Sequence, residues 1–193
     1  MNRFFYKHYI FLDIFNNLIE ENLTQLKNIN IIINIHQEDE KSLESELSII
    51  KFAKRNKIPL FFKNNYQKCI KYNSDGIFID STNKKITKPI LLKKKFKIIG
   101  SVHNQLEYFQ KLNQKCNLLM LSPLFYNEKY STNRILNILK FNTKKLNWSV
   151  DICALGGINL TTIKKVKLLN ITSIGSRKFI LNSQIKKPAY KLM

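Results

Sequence analysis

The chain has 193 residues, 44% of them hydrophobic, and its 33 lysines and arginines against 13 acidic residues give a formal charge of +20. That length and apolar content suit one compact domain with a substantial core, and no apolar run reaches the about 18 residues that a membrane span needs. Three scattered cysteines, Cys69, Cys116 and Cys153, with no CxxC or Cys/His cluster, argue against a disulfide framework or structural zinc and for a reduced, cytoplasmic chain.

The positive charge alone would suggest a polyanion as partner. Lysine, asparagine and isoleucine are abundant throughout, however, as in the product of an AT-rich gene, and the lysines are spread along the chain. KKKFK at 93–97, with Lys84 and Lys85, is the local cluster. A solvated face outweighs a nucleic-acid patch, and nucleic acid is not expected as a partner. Phosphorylated small molecules are the expected partners; a homodimer stays open. The opening MNRFFYKHYIFLDIFNNL is broken by Lys7, His8, Asp13 and asparagines, so it does not read as a signal peptide.

Along the chain, short apolar runs alternate with amphipathic ones. YIFLD (9–13) and IIINI (31–35) read as strands, followed by a helix in SLESELSIIKFAKRN with Leu43, Leu47, Ile50 and Ala53 on one face. PLFF (59–62) and GIFID (76–80) are the next strands, and the lysine-rich 84–95 a short, poorly formed crossover. KIIGS (97–101) precedes a helix in HNQLEYFQKL that places Leu106, Phe109 and Leu112 together. LLMLS (118–122) and DICALGG (151–157) follow, with Trp148 just before the latter at the structural end of the fold. NLTTIKKVKLLN repeats Leu160, Ile163, Val166 and Leu169 at helical spacing, and ITSIGS (171–176) is the eighth strand.

Strands alternating with helices imply parallel pairing through helical crossovers. Runs that are apolar throughout suit strands covered on both faces. Eight units favour a single-domain (β/α)8 TIM barrel over 1–193, just below its usual minimum of roughly 200 residues; an open doubly wound sheet is the alternative. In a barrel the strand C-termini carry the site. Gly156 and Gly157 fall there, where bare N–H groups can meet a ligand oxygen. Asn159 or Thr161 would cap the helix that follows, and Ser176, Arg177 and Lys178 would converge on the same anion. A turn that simply needs glycine accounts for the pair about as well.

In order, SDGIFID, IIGSVHNQLE, LLMLSPLF, CALGGIN and SIGS resemble the strand motifs of the thiamine-phosphate synthase/TenI superfamily, over roughly residues 9–180. The resemblance implies a TIM barrel that joins aminopyrimidine methyl pyrophosphate to thiazole phosphate, yielding thiamine phosphate and pyrophosphate. It further implies that Gly157 anchors the thiazole phosphate, with Arg177 and Lys178 at the last strand's phosphate amides. Ser101, in a GSVH one residue shorter than the family pattern, stands near the pyrophosphate-binding serine. Lys129, given a one-residue deletion, takes the place of the family's Thr-x-Thr-Lys lysine. These two carry the catalytic expectations. Asn34, His36 and Glu38 occupy the positions of the family's Gln-x-Arg-x-Lys, and Lys63 and Asn64 those of its Asn-Asp.

Mg²⁺ is the family's cofactor, but its usual carboxylates are amides here, Asn64 and Asn83, and a hard cation prefers charged oxygens. Asp80 is the candidate substitute ligand, and the Lys63 ammonium a candidate stand-in for the metal charge. His103 reads either as a general base or, more readily, as a cap of the helix starting near Asn104. Asp13 would reach the mouth or cap a helix; His36 and Glu38 would position substrate or lie in a solvated loop. Tyr126, Tyr130 and Phe125 would stack on a pyrimidine or pack. Pro123 sits where a thiazole tautomerase would carry its histidine. Two main expectations follow: a synthase, or a non-catalytic relative binding a thiazole or thiamine phosphate. A third class, a polyanion binder using Lys84 to Lys97, would show salt-sensitive binding indifferent to thiazole phosphate.

Overall fold

A computed structural model describes residues 6–35, 39–85, 96–126, 135–159 and 161–177. Eight parallel strands close a barrel in sequence order. They are β1 (Lys7–Leu12), β2 (Ile29–Ile33), β3 (Leu60–Lys63), β4 (Gly76–Ile79), β5 (Lys97–Val102), β6 (Leu118–Leu121), β7 (Asp151–Leu155) and β8 (Ser173–Ser176). Closure comes from β8 pairing β1, with Lys7 opposite Ser173 and Ile10 opposite Ser176. The described helices are α1 (Asn17–Thr24), α2 (Glu40–Arg55), α3 (Tyr66–Lys71), α4 (Gln105–Asn113), α5 (Asn137–Leu146) and α6 (Ile163–Val166).

Alternation along each strand sorts the side chains into two layers. Tyr9, Ile32, Phe61, Phe78, Ile99, Leu118, Met120 and Cys153 fill the barrel interior, joined by Phe11 and Leu155. Their neighbours in sequence, such as Ile10, Ile31, Phe62, Ile77 and Ile98, pack outward against the helices. A one-residue slip of any strand would exchange these sets, so burial on both faces fixes the register.

The strand-to-helix returns are set by local chemistry. Asn16, Asp39, Asn65 and Asn104 each accept a backbone N–H from the first turn of α1, α2, α3 and α4, a contribution of about 1 kcal/mol apiece. Just past helix ends, where glycine usually takes the left-handed conformation, this glycine-poor chain places Lys57 (φ 53°), Asn73 (φ 47°) and Lys115 (φ 59°).

Two helical faces differ from the sequence expectation. In α2, Leu43 and Leu47 are exposed while Glu46, Ile49, Ile50, Phe52 and Ala53 are buried. The stripe turns toward Glu46 because Lys68 of α3 meets its carboxylate at 2.6 Å, and a buried carboxylate needs such a partner. In α4, Leu106 and Phe109 face solvent while Tyr108 and Lys111 are buried. Tyr108 stacks on Trp148 at 4.4 Å, and Trp148 donates its indole N–H to Gln105 Oε1, the structural role expected of it. The α6 stripe is as expected, with Ile163, Val166 and Leu169 buried; Leu160 lies outside the described residues. Lys97, counted at the end of the basic cluster, turns into the barrel and donates to the Tyr9 hydroxyl at 2.9 Å. Among the described residues no helix is long and apolar enough to cross a membrane.

Candidate functional site

The interior alternation continues one step past the packed layer at the C-terminal ends of the strands. Two residues beyond Phe11, Ile32, Phe61, Phe78 and Ile99 come Asp13, Asn34, Lys63, Asp80 and Ser101. Leu155 leads to Gly157 in the same way, and Gly175 to Arg177. The fold therefore gathers at one mouth most of the described candidates that the sequence singled out. His36, Lys129 and Lys178, along with Glu38 and Tyr130, lie outside the described residues.

Among the described residues the mouth's cations Arg177 and Lys63 each face a carboxylate, which composition did not suggest. Arg177 binds Asp13 side-on, donating from Nε at 2.6 Å and Nη2 at 2.5 Å to Oδ2. Asn34 donates its amide to the other oxygen of Asp13. Across the barrel, Lys63 Nζ lies 3.6 Å from Asp80 Oδ2. Asp80 also accepts the Thr82 hydroxyl at 2.9 Å and the Asn83 N–H at 3.0 Å. Partial burial works against its ionisation, but the contacts with Thr82, Asn64 and Asn83, with the Lys63 charge, hold its pKa below the ordinary carboxylate value.

Asn64 and Asn83, the metal-position amides, hold each other. Asn64 Oδ1 accepts the Asn83 amide at 3.2 Å and the Asp80 N–H at 3.1 Å, and Asn83 Oδ1 accepts the Lys85 N–H at 3.0 Å. Asn83 is thus a brace of the loop after β4, not a ligand aimed at the mouth. Among the described residues no three His, Cys, Asp or Glu side chains are gathered for a metal. Asp80 and Asp13 are each already engaged by a cation. This donor set does not fit Mg²⁺, which takes several oxygens in near-octahedral order.

Gly156 (φ 93°) and Gly157 (φ 68°) occupy the expected rim. A Cβ on Gly156 would lie 2.9 Å from Pro123 Cα, and one on Gly157 would lie 2.6 Å from the carbonyl oxygens of both Phe125 and Tyr126. The loop after β6 is tied to this turn by Leu124 N–H to Leu155 O at 3.0 Å and Phe125 N–H to Gly156 O at 3.1 Å. The pair is therefore required by packing, whatever else it does. Among the described residues neither glycine N–H has a protein acceptor, so both amides are available to an anion.

Two parts of the expected phosphate cradle are differently used. Ser176 faces outward with Ile174, and its hydroxyl is hydrogen-bonded to Nε2 of buried His8 at 2.8 Å; β8 parity carries Arg177 to the mouth and Ser176 away from it. Asn159 Oδ1 accepts the N–H groups of Thr161 and Thr162 at 3.0 Å. This turn precedes α6, whose N-cap is Thr162 with no side-chain cap bond, so the expected cap by Asn159 or Thr161 is not formed; the turn takes up amides that an anion would need, and α6 has only four residues.

His103 does not cap α4; Asn104 does. Glu107 reaches back to the His103 N–H at 2.7 Å and to Nδ1 at 2.9 Å, tying the residue before the cap to the first turn of α4. Tyr126 is exposed at the rim and Phe125 half-buried. One organising residue escaped the sequence reading. Lys111, fully buried, sends Nζ from α4 to the carbonyls of Asp80 at 2.6 Å and Asn83 at 2.8 Å and to Gln114 Oε1 at 2.8 Å. Its stem passes Gly100, where a Cβ would come within 2.9 Å of Lys111 Cδ. The glycine in IIGS was the available signal.

The model of a family described as thiamine monophosphate synthase matches residues 14–178. No curated protein sequence matches the chain. A thiamine phosphate pyrophosphorylase from Pyrococcus furiosus superposes with a TM-score of 0.73 at 15% identity, over 91% of this chain and 87% of that one. One from Bacteroides thetaiotaomicron gives 0.59 at 13%, over 97% and 91%. The YdjI aldolase of Escherichia coli K12 gives 0.61 at 11%, over 91% and 76%. Neighbours of differing chemistry at such identities speak to the barrel alone.

Proposed function

The chain belongs to the thiamine monophosphate synthase family, and from that membership we propose that it joins aminopyrimidine methyl pyrophosphate to thiazole phosphate, giving thiamine phosphate and pyrophosphate. The observation that carries this reading is the pair of unengaged glycine amides at the mouth. They follow β7, next to the β8 strand that leads to Arg177 and across the barrel from Lys63. The thiazole phosphate takes the Gly156 and Gly157 amides, which leaves its ring nitrogen over the mouth. The pyrophosphate of the partner lies toward Lys63 and Ser101.

The methylene C–O bond breaks and pyrophosphate leaves with the electron pair. The thiazole nitrogen then donates its lone pair to the methylene carbon, forming the C–N bond. No side-chain nucleophile is needed. Holding the two reactants in line supplies much of the rate, and the Lys63 ammonium offsets charge growing on the leaving oxygen. To do so it shares itself between Asp80 and the substrate. No step is assigned to Mg²⁺, because the described side chains do not suit it.

A second reading has its own support. The amides at the metal positions and the carboxylates facing Lys63 and Arg177 suit a relative that binds thiazole phosphate without chemistry. Purified protein incubated with both substrates, with and without Mg²⁺, decides between them by thiamine phosphate formation. Product that is lost in Lys63→Met, with thiazole-phosphate binding retained, supports the synthase. Thiazole-phosphate binding with no product under either condition refutes it in favour of the second reading.

A further inference from the structure

A cavity of about 530 Å³ opens at the opposite end of the barrel, where the strands begin. Its cationic wall carries Lys7, Lys57, Lys97 and the amide of Asn30, and among the described residues no carboxylate lines it. Facing them are Leu26, Phe52 and Ile58. Lys97 points inward, held by the Tyr9 hydroxyl and lying 5.6 Å from that ring's centroid. Asn30 is only 9% exposed and borders this space, so its amide can turn to a ligand there.

We propose that this cavity is a second ligand site, for a small organic phosphate whose body is apolar or aromatic. Its size falls within the range of small-molecule pockets. Burial chiefly disfavours the Lys97 charge, the repulsion of nearby Lys7 adds to it, and the Asp151 carboxylate opposes both. A dianion between the two ammonium groups relieves that repulsion and accepts the Asn30 amide. The apolar wall covers the rest of the ligand. The packed layer of Tyr9, Phe61, Phe78, Ile99, Met120 and Cys153 separates this site from the mouth, so the two bind independently.

Titration calorimetry with phenyl phosphate at about 0.15 M salt, where surface charges are screened beyond about 8 Å, tests this. Saturable binding is expected, weakened at least about tenfold by Lys7→Glu, which is an exposed position and safe for folding. Asn30→Leu should weaken it as well. Lys140→Glu, an equal charge change on α5, should leave it unchanged, and the binding that Lys7→Glu weakens should persist in Arg177→Ala, at the far mouth. The proposal is overturned by absent saturation, by Lys7→Glu binding within about twofold of the native chain, or by loss on Arg177→Ala. Benzoate binding as tightly as phenyl phosphate overturns the ligand class. Failure of thiazole phosphate to bind at the mouth would leave all these outcomes untouched.

Discussion

Replacing Gly157 with alanine tests whether the glycine pair is demanded by the fold itself. At φ 68° a side chain costs about 1–2 kcal/mol in backbone strain. The added methyl would also stand 2.6 Å from two carbonyl oxygens, where carbon contacts normally relax to about 3.5–4.0 Å. Backbone on both sides must yield, and such overpacking costs about 1–3 kcal/mol. The sum, about 2–5 kcal/mol, converts at about 2–4 °C per kcal/mol for a chain of this size to a fall of about 4–20 °C in Tm. Circular dichroism melts provide the measurement. Gly175→Ala is the control, since its methyl meets side chains and not backbone, the ends of Leu155 and Met120 at 3.0 and 3.5 Å and the Phe11 ring at 3.7 Å, and should cost less. A Gly157→Ala fall under about 2 °C, or one smaller than the control's, would refute the reasoning. Gly157→Asp, the substitution the motif suggests for blocking phosphate, would therefore disturb the neighbouring loop directly; loss of ligand binding is better sought with Arg177→Ala.

Three further outcomes follow from buried groups and turns. Burial lowers the His8 pKa from 6.5 to about 4, so between those values the unfolded chain holds more protons and stability rises with pH. About 3 kcal/mol present above pH 6.5 should be lost by pH 4. Urea titrations of native and His8→Gln protein should show a gap that changes through that window; a pH-independent gap would contradict it. Burial pushes the thiols up, Cys69 to about 11 and Cys116 and Cys153 to about 12, so an aromatic disulfide reagent at pH 8 should react only as fast as the chain unfolds. Prompt labelling of any of the three would show that its burial is wrong. Lys115→Gly, at φ 59° past α4, should raise Tm by about 2–4 °C by relieving about 1 kcal/mol of left-handed strain; a lowered Tm would refute that origin.

The barrel was legible because its strands are buried on both faces. Runs such as IIINI and LLMLS announce themselves without subtle pattern, and a mouth built by strict alternation follows once strand ends are known. Asp13, Asn34, Lys63, Asp80 and Arg177 were recoverable on that basis. Helical faces were less legible, because the partners that hold Glu46 and Lys111 inside, Lys68 and the carbonyls of Asp80 and Asn83, lie on other elements. Ser176 misled for a related reason. It stands next to Arg177 in sequence, and adjacent strand residues face opposite ways. The pairing of Lys63 and Arg177 with carboxylates could not be read from a charge of +20, since charge count carries no position.

The ammonium of Lys111, hung on two peptide carbonyls of the turn beyond β4, makes that turn a passenger of an outer helix. A guest entering the mouth cannot push Asp80 aside without dragging α4 or stranding a cation in a dry place. Whatever accommodation a substrate requires must come from other arcs of the rim, and the β4 side serves as the fixed jaw against which they close.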